Sequence, residues 1–268
     1  MGSKAKIAGK VFVVTGAGNG MGRELTLELV QRGAQVAAID IREQALAETK
    51  SLAGSSVETF ALDITNVTEV AALPERVLKA FGAIDGLINN AGVIQPFLKI
   101  NQLEISDAER VMAVNFTGPL LMIKAFLPVL IARPEGWILN VSSMGAYAPV
   151  PGQSLYGASK AGIAQLSESL RSELMSTNVS VTTVFPGAIN TKIAENSGIS
   201  ISASSASESA IKTTDAKVAA KMMIEALEKR RERLYIGSDA RSMNIFSRIS
   251  PRLAAWLIYR NMRSLLGE

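Results

Sequence analysis

The residues best suited to proton chemistry lie in one short segment. Tyr156 and Lys160 stand four residues apart in the sequence YGASK, at the start of a long helical pattern. Four residues make about one helical turn, so both side chains share one face of the helix. An ammonium group beside a phenol stabilises the phenolate, which should lower the pKa of Tyr156 from about 10. The pair is therefore a candidate general acid and base.

A serine hydroxyl is expected near this pair. Ser143 precedes Tyr156 by thirteen residues and follows a predicted strand. Its hydroxyl could polarise or orient a substrate carbonyl oxygen. The chain has neither histidine nor cysteine, so acid–base work falls to Tyr, Lys, Asp or Glu. Disulfides, thiolate chemistry and Cys-ligated zinc are excluded, and we expect no metal.

A glycine-rich segment, TGAGNGMG over residues 15–22, lies between the first predicted strand and a helix. Glycines there let the backbone approach a pyrophosphate, which then sits on the N–H groups of the helix N-terminus. The spacing Gly-x-x-x-Gly-x-Gly with one extra glycine is by itself weak evidence for a cofactor site, because an ordinary strand–turn–helix has the same pattern. The candidate cofactor-binding residues in this segment are Gly16, Gly18, Asn19, Gly20, Met21 and Gly22.

An acidic residue ends the second predicted strand. Asp40 lies eighteen residues after Gly22. A carboxylate there accepts hydrogen bonds from an adenosine ribose and repels a 2′-phosphate, which favours NAD over NADP. Asp40 as a polar residue that merely ends the strand, or as the cap of helix 43–53, is the alternative. NADP stays open through Arg42 and Arg23, although Arg23 is more typical of a solvated helix residue.

Short aliphatic runs alternate with amphipathic stretches along the chain. The runs predict strands at 11–14, 35–39, 57–62, 86–88, 137–141, 179–185 and 233–236. The stretches predict helices at 21–33, 43–53, 67–81, 102–131, 154–177 and 215–230. Strands that are apolar on both faces and separated by helices are typical of a covered parallel sheet. We predict an α/β fold, a doubly wound Rossmann-type parallel sheet of about seven strands with helices on both faces.

The C-terminal third is less regular. We expect one domain over residues 1–268, a Ser-rich mobile substrate loop at about 192–214 and a basic helical tail at about 241–268. Residues 229–268 hold nine Lys/Arg and three acidic residues. Ser250-Pro251 predicts the start of the last helix. The basic tail fits either an anionic membrane or, more simply, packing on the substrate loop or another subunit. Arg260 interrupts its apolar face.

Together these motifs resemble the short-chain dehydrogenase/reductase family. The resemblance covers roughly residues 10–191 and is carried, in the family's order and spacing, by residues 15–22, Asn89-Asn90-Ala91-Gly92, Asn115, Ser142-Ser143, Tyr156-x-x-x-Lys160 and Pro186-Gly187. It implies an oxidoreductase that transfers a hydride between a nicotinamide coenzyme and an alcohol or ketone. With Asp40 and a mostly apolar predicted pocket, we expect NAD(H) and an uncharged, hydrophobic secondary alcohol or ketone. An NADP(H)-dependent carbonyl reductase, or a non-catalytic NAD(H)-sensing or membrane-recruited protein, stays open.

The resemblance also implies residue roles. Ser143, Tyr156 and Lys160 form a triad, and Asn115 supports a water-linked proton relay to Lys160. Ser142 is the alternative hydroxyl, but the thirteen-residue spacing favours Ser143. Lys160 holds the nicotinamide ribose, and the other implied cofactor contacts are Ile41, Asp63, Ile64, Asn89, Ala91, Gly92, Pro186, Gly187, Ile189 and Thr191.

The substrate and the partners are less defined. The predicted substrate pocket comprises Val93, Met144, Ala146, Tyr147 and Gln153. For Gln153 two roles stay open: a hydrogen bond to a polar group of the substrate, or a structural hydrogen bond within the protein. We expect a cytoplasmic homo-oligomer, dimer or tetramer, with a small-molecule substrate and no nucleic-acid partner. No uninterrupted apolar stretch reaches the ~18 residues of a membrane span.

Overall fold

The computed structural model describes residues 7–191, 193–199 and 213–266. Its strands are β1 (Val11–Thr15), β2 (Gln35–Asp40), β3 (Val57–Ala61), β4 (Gly86–Asn89), β5 (Gly136–Val141), β6 (Val179–Pro186), β7 (Ile189–Asn190), β8 (Thr214–Asp215) and β9 (Arg233–Ile236). Its α-helices are α1 (Gly20–Gln31), α2 (Glu43–Ala53), α3 (Val67–Phe81), α4 (Ile105–Met112), α5 (Gly118–Ile131), α6 (Ser154–Glu173), α7 (Ile193–Asn196), α8 (Ala216–Glu228), α9 (Ser238–Ile249) and α10 (Pro251–Met262).

The main sheet confirms the predicted doubly wound fold. Within the described part of the chain it has seven parallel strands in the order β3-β2-β1-β4-β5-β6-β9. The chain starts at β1, winds outward to β3, and then returns to β4 on the other side of β1. Ligands of such sheets bind at the carboxyl ends of the strands, beside this change of direction. Residues that follow β1, β2 and β4 therefore share one edge.

Alternation along the strands divides the core between the two faces of the sheet. Phe12 and Val14 pack with α1 and α8, whereas Val11 and Val13 pack with α3 and α5. All four side chains are at most 2% exposed. Successive strand residues point to opposite faces, and complete burial of such a side chain stabilises the fold by about 1.5–3 kcal/mol. The strands are thus held from both sides, which fixes the positions of the loops at their ends.

The predicted helix 102–131 is not one uniform α-helix. A 3₁₀ segment, Ile100–Gln102, precedes α4, and a π-helical turn, Ala113–Thr117, joins α4 to α5. The wider turn contains Asn115, which is fully buried. Single π-turns within helices are frequent at functional sites. Amphipathic periodicity cannot distinguish such a turn from regular helix, so the sequence missed it.

The tail and the predicted substrate loop also differ from expectation. Helix α9 begins at Ser238, three residues before the predicted tail, and Ser250 caps α10 as expected. The predicted loop contains the short helix α7 and ends in the strand β8, which pairs with β7. Lys192 and residues 200–212 of that loop lie outside the described residues.

The continuous helical run Ile105–Ile131 is long and apolar enough to cross a membrane by length and composition alone. In its most apolar window 39% is buried. Met122, Phe126 and Leu130 from this run pack into the core on the sheet. Core helices meet the same criterion, and burial against the sheet accounts for the apolar character of these three positions.

Candidate active site

The turn between β1 and α1 has a backbone that requires glycine. Gly16 has φ +68°, and a Cβ there would lie 2.9 Å from the Cα of Ala91. A Cβ on Gly22 would collide with the carbonyl group of Gly16. The first turn of α1 therefore packs directly on the glycine-rich turn, with its backbone N–H groups at the carboxyl edge of the sheet.

Arg23 is not the solvated residue that the sequence predicted. Its Nε donates to the carbonyl of Gly18 (3.1 Å), and its Nη2 donates to Glu48 Oε2 (2.8 Å). The side chain is only 22% exposed. Arg23 thus ties the glycine-rich turn to α2, which accounts for its charge without a ligand.

Asp40 holds the two adjacent segments of backbone together. Its Oδ2 accepts from the N–H of Gly18 (3.0 Å), and its Oδ1 accepts from the N–H of Arg42 (3.0 Å). The residue is 7% exposed. Arg42 is itself the N-cap of α2, so the prediction of Asp40 as a helix cap is wrong.

A cavity of ≈ 380 Å³ opens beside these groups. Twelve of the predicted cofactor and substrate residues line it: Gly16, Asn19, Gly20, Met21, Asp40, Ile41, Asp63, Ile64, Ala91, Gly92, Val93 and Thr191. Seven further lining residues were not predicted as contacts, although Arg42 was considered: Arg42, Leu62, Asn90, Arg110, Val114, Ile193 and Asn196. Residues from the glycine-rich turn, the ends of β2 and β3 and the loop after β4 thus share one cavity at the carboxyl edge of the sheet.

Several predicted cofactor contacts lie outside the lining of that cavity. Asn89 is 3% exposed and donates to Asn140 Oδ1 (2.8 Å), so it joins β4 to β5 within the sheet. Pro186 pairs with Ile236 in the sheet. The side chain of Ile189 packs against the core. Gly18, Gly22, Gly187, Tyr156 and Lys160 are likewise not among the lining residues.

Gly145 brings Ser143 and Tyr156 together. A Cβ on Gly145 would lie 3.2 Å from Tyr156 Cε1 and 3.5 Å from Ser143 Oγ. Ser143 Oγ also accepts from the N–H of Gly145 (3.0 Å). Ser142, in contrast, is 2% exposed and donates to the carbonyl of Lys160 (2.7 Å). The geometry favours Ser143 over Ser142 as the hydroxyl beside the tyrosine.

Lys160 is a buried cation. It is 4% exposed, its Nζ donates to the carbonyl of Val141 (3.0 Å), and it lies 6.0 Å from the ring centroid of Tyr156. Burial lowers the pKa of Lys160 to about 8. A Cβ on Gly92, which lines the cavity, would lie 3.2 Å from Lys160 Nζ. The ammonium group therefore lies directly behind the cavity wall.

The pKa of Tyr156 moves against the sequence expectation. Burial of the phenol raises the pKa of Tyr156, and the side-chain hydrogen bond with Ser143 opposes this effect. Desolvation penalises the phenolate, and Lys160 is itself desolvated, so its ammonium does not bring the pKa below the ordinary value. The prediction of a lowered pKa is wrong for the protein without ligands.

Asn115 uses its side chain to shape the backbone next to Gly92. Its Oδ1 accepts from the N–H of Val93 and its Nδ2 donates to the carbonyl of Val93, both at 2.9 Å. Nδ2 also donates to Ser159 Oγ (3.1 Å). These bonds join the π-turn, the loop after β4 and α6 into one buried unit beside Lys160.

The five predicted substrate residues do not line a common cavity. Val93 lines the large cavity, whereas Ala146 and Tyr147 line a second one of ≈ 360 Å³. Tyr147 Oη donates to the carbonyl of Ala240 (2.8 Å), and Met144 begins a 3₁₀ turn after β5. Gln153 is 4% exposed and donates to the carbonyl of Gln95. It thus makes the structural hydrogen bond that was the alternative to a contact with the substrate.

Gln95 is the residue that sequence reasoning missed most clearly. It is fully buried, and its Oε1 accepts from the N–H groups of Leu155 (2.7 Å) and Tyr156 (3.1 Å). These are among the free N–H groups that begin every helix. Gln95 thus connects the loop after β4 to the first turn of α6. Its signal in the sequence was one amide within the apolar run VIQPFL.

A side-chain bridge crosses the outer side of the cavity. Asn19 and Asn196 exchange two amide hydrogen bonds, at 2.9 and 3.1 Å, and Arg42 Nη1 donates to Asn196 Oδ1 (2.8 Å). Ser197 Oγ accepts from the N–H of Ile94 (3.0 Å). Helix α7 and the residue after it are therefore held both to the glycine-rich turn and Arg42 and to the loop after β4.

Comparisons with known proteins agree with this geometry. The family model described as short chain dehydrogenase matches residues 10–201. The chain is 34% identical to a Mycobacterium tuberculosis protein named as the oxidoreductase SadH, covering 90% of this chain and 91% of that protein. It is 35% identical to the 3-oxoacyl-[acyl-carrier-protein] reductase FabG of Thermotoga maritima, covering 71% and 78% of the two chains.

Two solved structures are similar over nearly the whole chain. A short-chain dehydrogenase/reductase from Burkholderia phymatum in complex with NAD has a TM-score of 0.84 at 25% identity, covering 92% of this chain and 96% of that one. A short-chain dehydrogenase from Burkholderia cenocepacia in complex with NADP has a TM-score of 0.80 at 29% identity, covering 94% and 98%. Relatives of this fold thus bind either nicotinamide coenzyme.

Proposed function

The chain belongs to the short-chain dehydrogenase family of oxidoreductases, and we propose that it transfers a hydride between NAD(H) and an uncharged, hydrophobic secondary alcohol or ketone. The observation that carries this proposal is the grouping of Ser143 and Tyr156 around Gly145, with Lys160 behind Gly92 of the cavity wall. A phenol and an aliphatic hydroxyl thus lie together, and a buried ammonium group lies behind the wall of the cavity.

The cavity fits a nicotinamide dinucleotide. Gly16, Gly20 and Met21 line it, so the backbone at the N-terminus of α1 borders the cavity. Asn90 Oδ1, at the same turn, is buried and has no hydrogen-bond partner among the described residues. When bound, the coenzyme supplies or accepts the hydride.

Tyr156 is proposed as the proton donor and acceptor. Because burial raises its pKa, its Oη keeps the proton at neutral pH and can donate it to a carbonyl oxygen. Ser143 would hold that oxygen by a hydrogen bond. Lys160, with a pKa of about 8, carries its charge at neutral pH and would stabilise the phenolate that forms.

Asn115 is proposed to act by position. Its side-chain amide is engaged with Val93 and Ser159, so it orients the loop that lies against Lys160. This arrangement supports a role for Asn115 in fixing the position of the cavity wall at Gly92 and Val93 relative to the ammonium group of Lys160. The water-linked relay to Lys160 that the family resemblance implies remains part of the proposal.

Tyr156→Phe tests the proposed reaction. The change removes only the proton-transferring oxygen, so turnover should fall by about 10²–10⁴-fold while NADH affinity stays nearly unchanged. Tyr259→Phe, which removes the hydroxyl of a half-exposed tail residue, is the matched control. Near-normal turnover of Tyr156→Phe on a good substrate would contradict the mechanism.

We propose NAD as the preferred coenzyme on the basis of Asp40. Its carboxylate lines the cavity at the end of β2 and is fixed by the N–H groups of Gly18 and Arg42. A fixed carboxylate can accept from ribose hydroxyls and would repel a 2′-phosphate. The Arg42 side chain is already paired with Asp40 and bonded to Asn196.

Parallel fluorescence titrations with NADH and NADPH test this preference. We expect NADH to bind at least tenfold more tightly, equivalent to about 1.4 kcal/mol, and Asp40→Ser to reduce the difference. Arg42→Gln is the companion variant, since it should leave NADH binding largely unchanged. Tighter binding of NADPH that is lost in Arg42→Gln would overturn the assignment.

The second candidate function is an NADP(H)-dependent carbonyl reductase. Arg42 and Arg110 both line the cavity and could meet a 2′-phosphate if the Asp40–Arg42 pair opened. The loop 144–153 beside Tyr156 has no charged residue, which supports an uncharged substrate in either case. Comparing kcat/KM for secondary alcohols and for hydroxy acids of the same length tests the substrate class, because the acids should react more slowly.

A further inference from the structure

Exposed apolar side chains are concentrated in the tail helices α9 and α10. Elsewhere the described residues expose large apolar side chains singly, which is normal for a protein surface. In the tail, six lie within fifteen residues, each 44–77% exposed: Ile245, Phe246, Ile249, Leu253, Trp256 and Tyr259. Such a concentration of exposed apolar side chains on two successive helices indicates an interaction surface.

Arginines accompany these side chains along the sequence. Residues 240–266 contain five arginines and no Lys, Asp or Glu. On α10, Arg252 and Trp256 follow helical spacing and share the exposed face, and Arg263 directly after the helix is exposed as well. Ala254 and Ile258 on the opposite side are buried. The helix thus presents aromatic and cationic groups together.

Arg260 belongs to this face and does not interrupt it. From the sequence, Arg260 was expected to interrupt the apolar face of the helix. In the structure its guanidinium lies over the ring of Trp256, 4.9 Å from the centroid. A long arginine stem lies along apolar surface while its charged end reaches a polar phase. The pairing of Arg260 with Trp256 suits a boundary between apolar and anionic material.

We propose that the tail surface, meaning the exposed apolar side chains of α9 and α10 with Arg252, Arg260 and Arg263, binds the headgroup layer of an anionic lipid bilayer. Aromatic and aliphatic side chains enter the acyl boundary, and the arginines contact lipid phosphates. The tail stays attached to the body of the protein because Tyr147 Oη donates to the carbonyl of Ala240 in α9 and Leu266 lies against Gly152.

Charge argues against a second copy of this chain as the occupant. A two-fold contact places the same patch of each subunit against itself. The arginines of one tail surface would then face those of the other, with no acidic residue between 240 and 266 to compensate. Like charges brought together disfavour an interface, whereas anionic lipid complements the patch.

Flotation of the full chain with vesicles tests the proposal. Phosphatidylcholine vesicles with and without phosphatidylglycerol are compared, at low and at high salt. The variants are Trp256→Ser and the triple variant R252Q/R260Q/R263Q. The matched charge control is K79Q/K217Q/K221Q, which removes three exposed lysines from α3 and α8 and lowers the net charge equally. NADH binding checks that each variant is folded.

We expect flotation only with anionic vesicles, weakened by salt, lost in both tail variants and kept in the lysine control. The proposal fails if the wild type does not float, if it floats equally with neutral vesicles, or if the lysine control loses binding as the arginine variant does. It also fails if Trp256→Ser reduces the size of the assembly without lipid in light scattering, because the surface is then a subunit contact. Turnover is not part of the readout, so this result is independent of the proposed reaction.

Discussion

The carboxyl edge of the sheet buries polar side chains, whereas the C-terminal tail exposes apolar ones. At the edge, polar groups such as Asp40, Asn115 and Lys160 are buried and bonded to backbone groups. In the tail, Trp256 and Ile249 are 51% and 77% exposed. Buried polar groups must keep their partners, since each loss carries a desolvation cost, whereas exposed apolar groups can change freely. Substitutions should therefore be severe at the edge and mild in the tail.

The largest effect is expected at Gly22. Gly22→Val places a side chain into the carbonyl of Gly16 and close to Asn90 Nδ2, and neither the turn nor β1 can move away. We expect a loss of about 3 kcal/mol or more in the free energy of unfolding, at the upper end of overpacking effects, and no measurable NADH binding. Denaturant titration and NADH fluorescence measure the two outcomes.

Gly82→Ala provides the control for Gly22. Gly82 has φ +75° but nothing lies within 4 Å of a Cβ there. The change should cost about 1–2 kcal/mol, from left-handed backbone strain alone, and leave NADH binding intact. Equal losses in Gly82→Ala and Gly22→Val would show that close packing at the glycine-rich turn has no special role.

Lys160 should make the stability of the edge depend on pH. Its pKa is lowered from 10.5 to about 8, so between these values the unfolded chain keeps a proton that the folded protein has lost. The free energy of unfolding then rises with pH across this interval, by up to about 3 kcal/mol. Lys160→Met should flatten that rise, as followed by urea unfolding of the ligand-free protein.

Lys79→Met is the matched control, because Lys79 is exposed on α3. It should keep the pH profile of the wild type. If Lys160→Met retains the full rise between pH 8 and 10.5, the buried ammonium group is not its source.

Gln95 tests whether positioning of the catalytic helix matters. Gln95→Met leaves the N–H groups of Leu155 and Tyr156 without their acceptor, which should cost about 1–3 kcal/mol of stability. Tyr156 would shift relative to Ser143, so kcat should fall more than KM changes, and the pH profile of kcat should move. Gln95→Glu retains an acceptor oxygen at a helix N-terminus and should restore most of kcat.

Gln102→Met, at an exposed glutamine, controls for the loss of an amide. A Gln95→Met enzyme that loses stability but keeps the wild-type kcat and pH profile would assign Gln95 a structural role only.

The sequence predicted the edge of the sheet well because its constraints are local. Glycines 16 and 22 are required where backbone meets backbone, and Asp40 ends a strand whose apolar pattern defines its length. The Gln95 contact joins residues sixty positions apart, so no local pattern reports it. The predicted substrate residues do not line a common cavity for a related reason: Tyr147 and Gln153 lie near each other in sequence, but each is bonded to a different distant carbonyl.

The expected pKa of Tyr156 failed because spacing reports proximity and not solvation. Helical spacing correctly placed Lys160 near the phenol ring, at 6.0 Å from its centroid. Because both groups are buried, the pKa of Tyr156 is raised instead of lowered. The spacing of residues along the chain does not report how deeply a side chain is buried.

The smallest effect is expected in the tail, at Ile249. Ile249→Ser changes a side chain that is 77% exposed at the end of α9, so the free energy of unfolding should stay within about 0.5 kcal/mol of the wild type. Ile258→Ser, on the buried side of α10, should in contrast lose about 2–4 kcal/mol from its cavity and its unpaired hydroxyl. Urea titration of both variants measures the difference. A loss at Ile249 as large as that at Ile258 would mean that the tail surface is covered by protein, which would remove the contrast between the two regions.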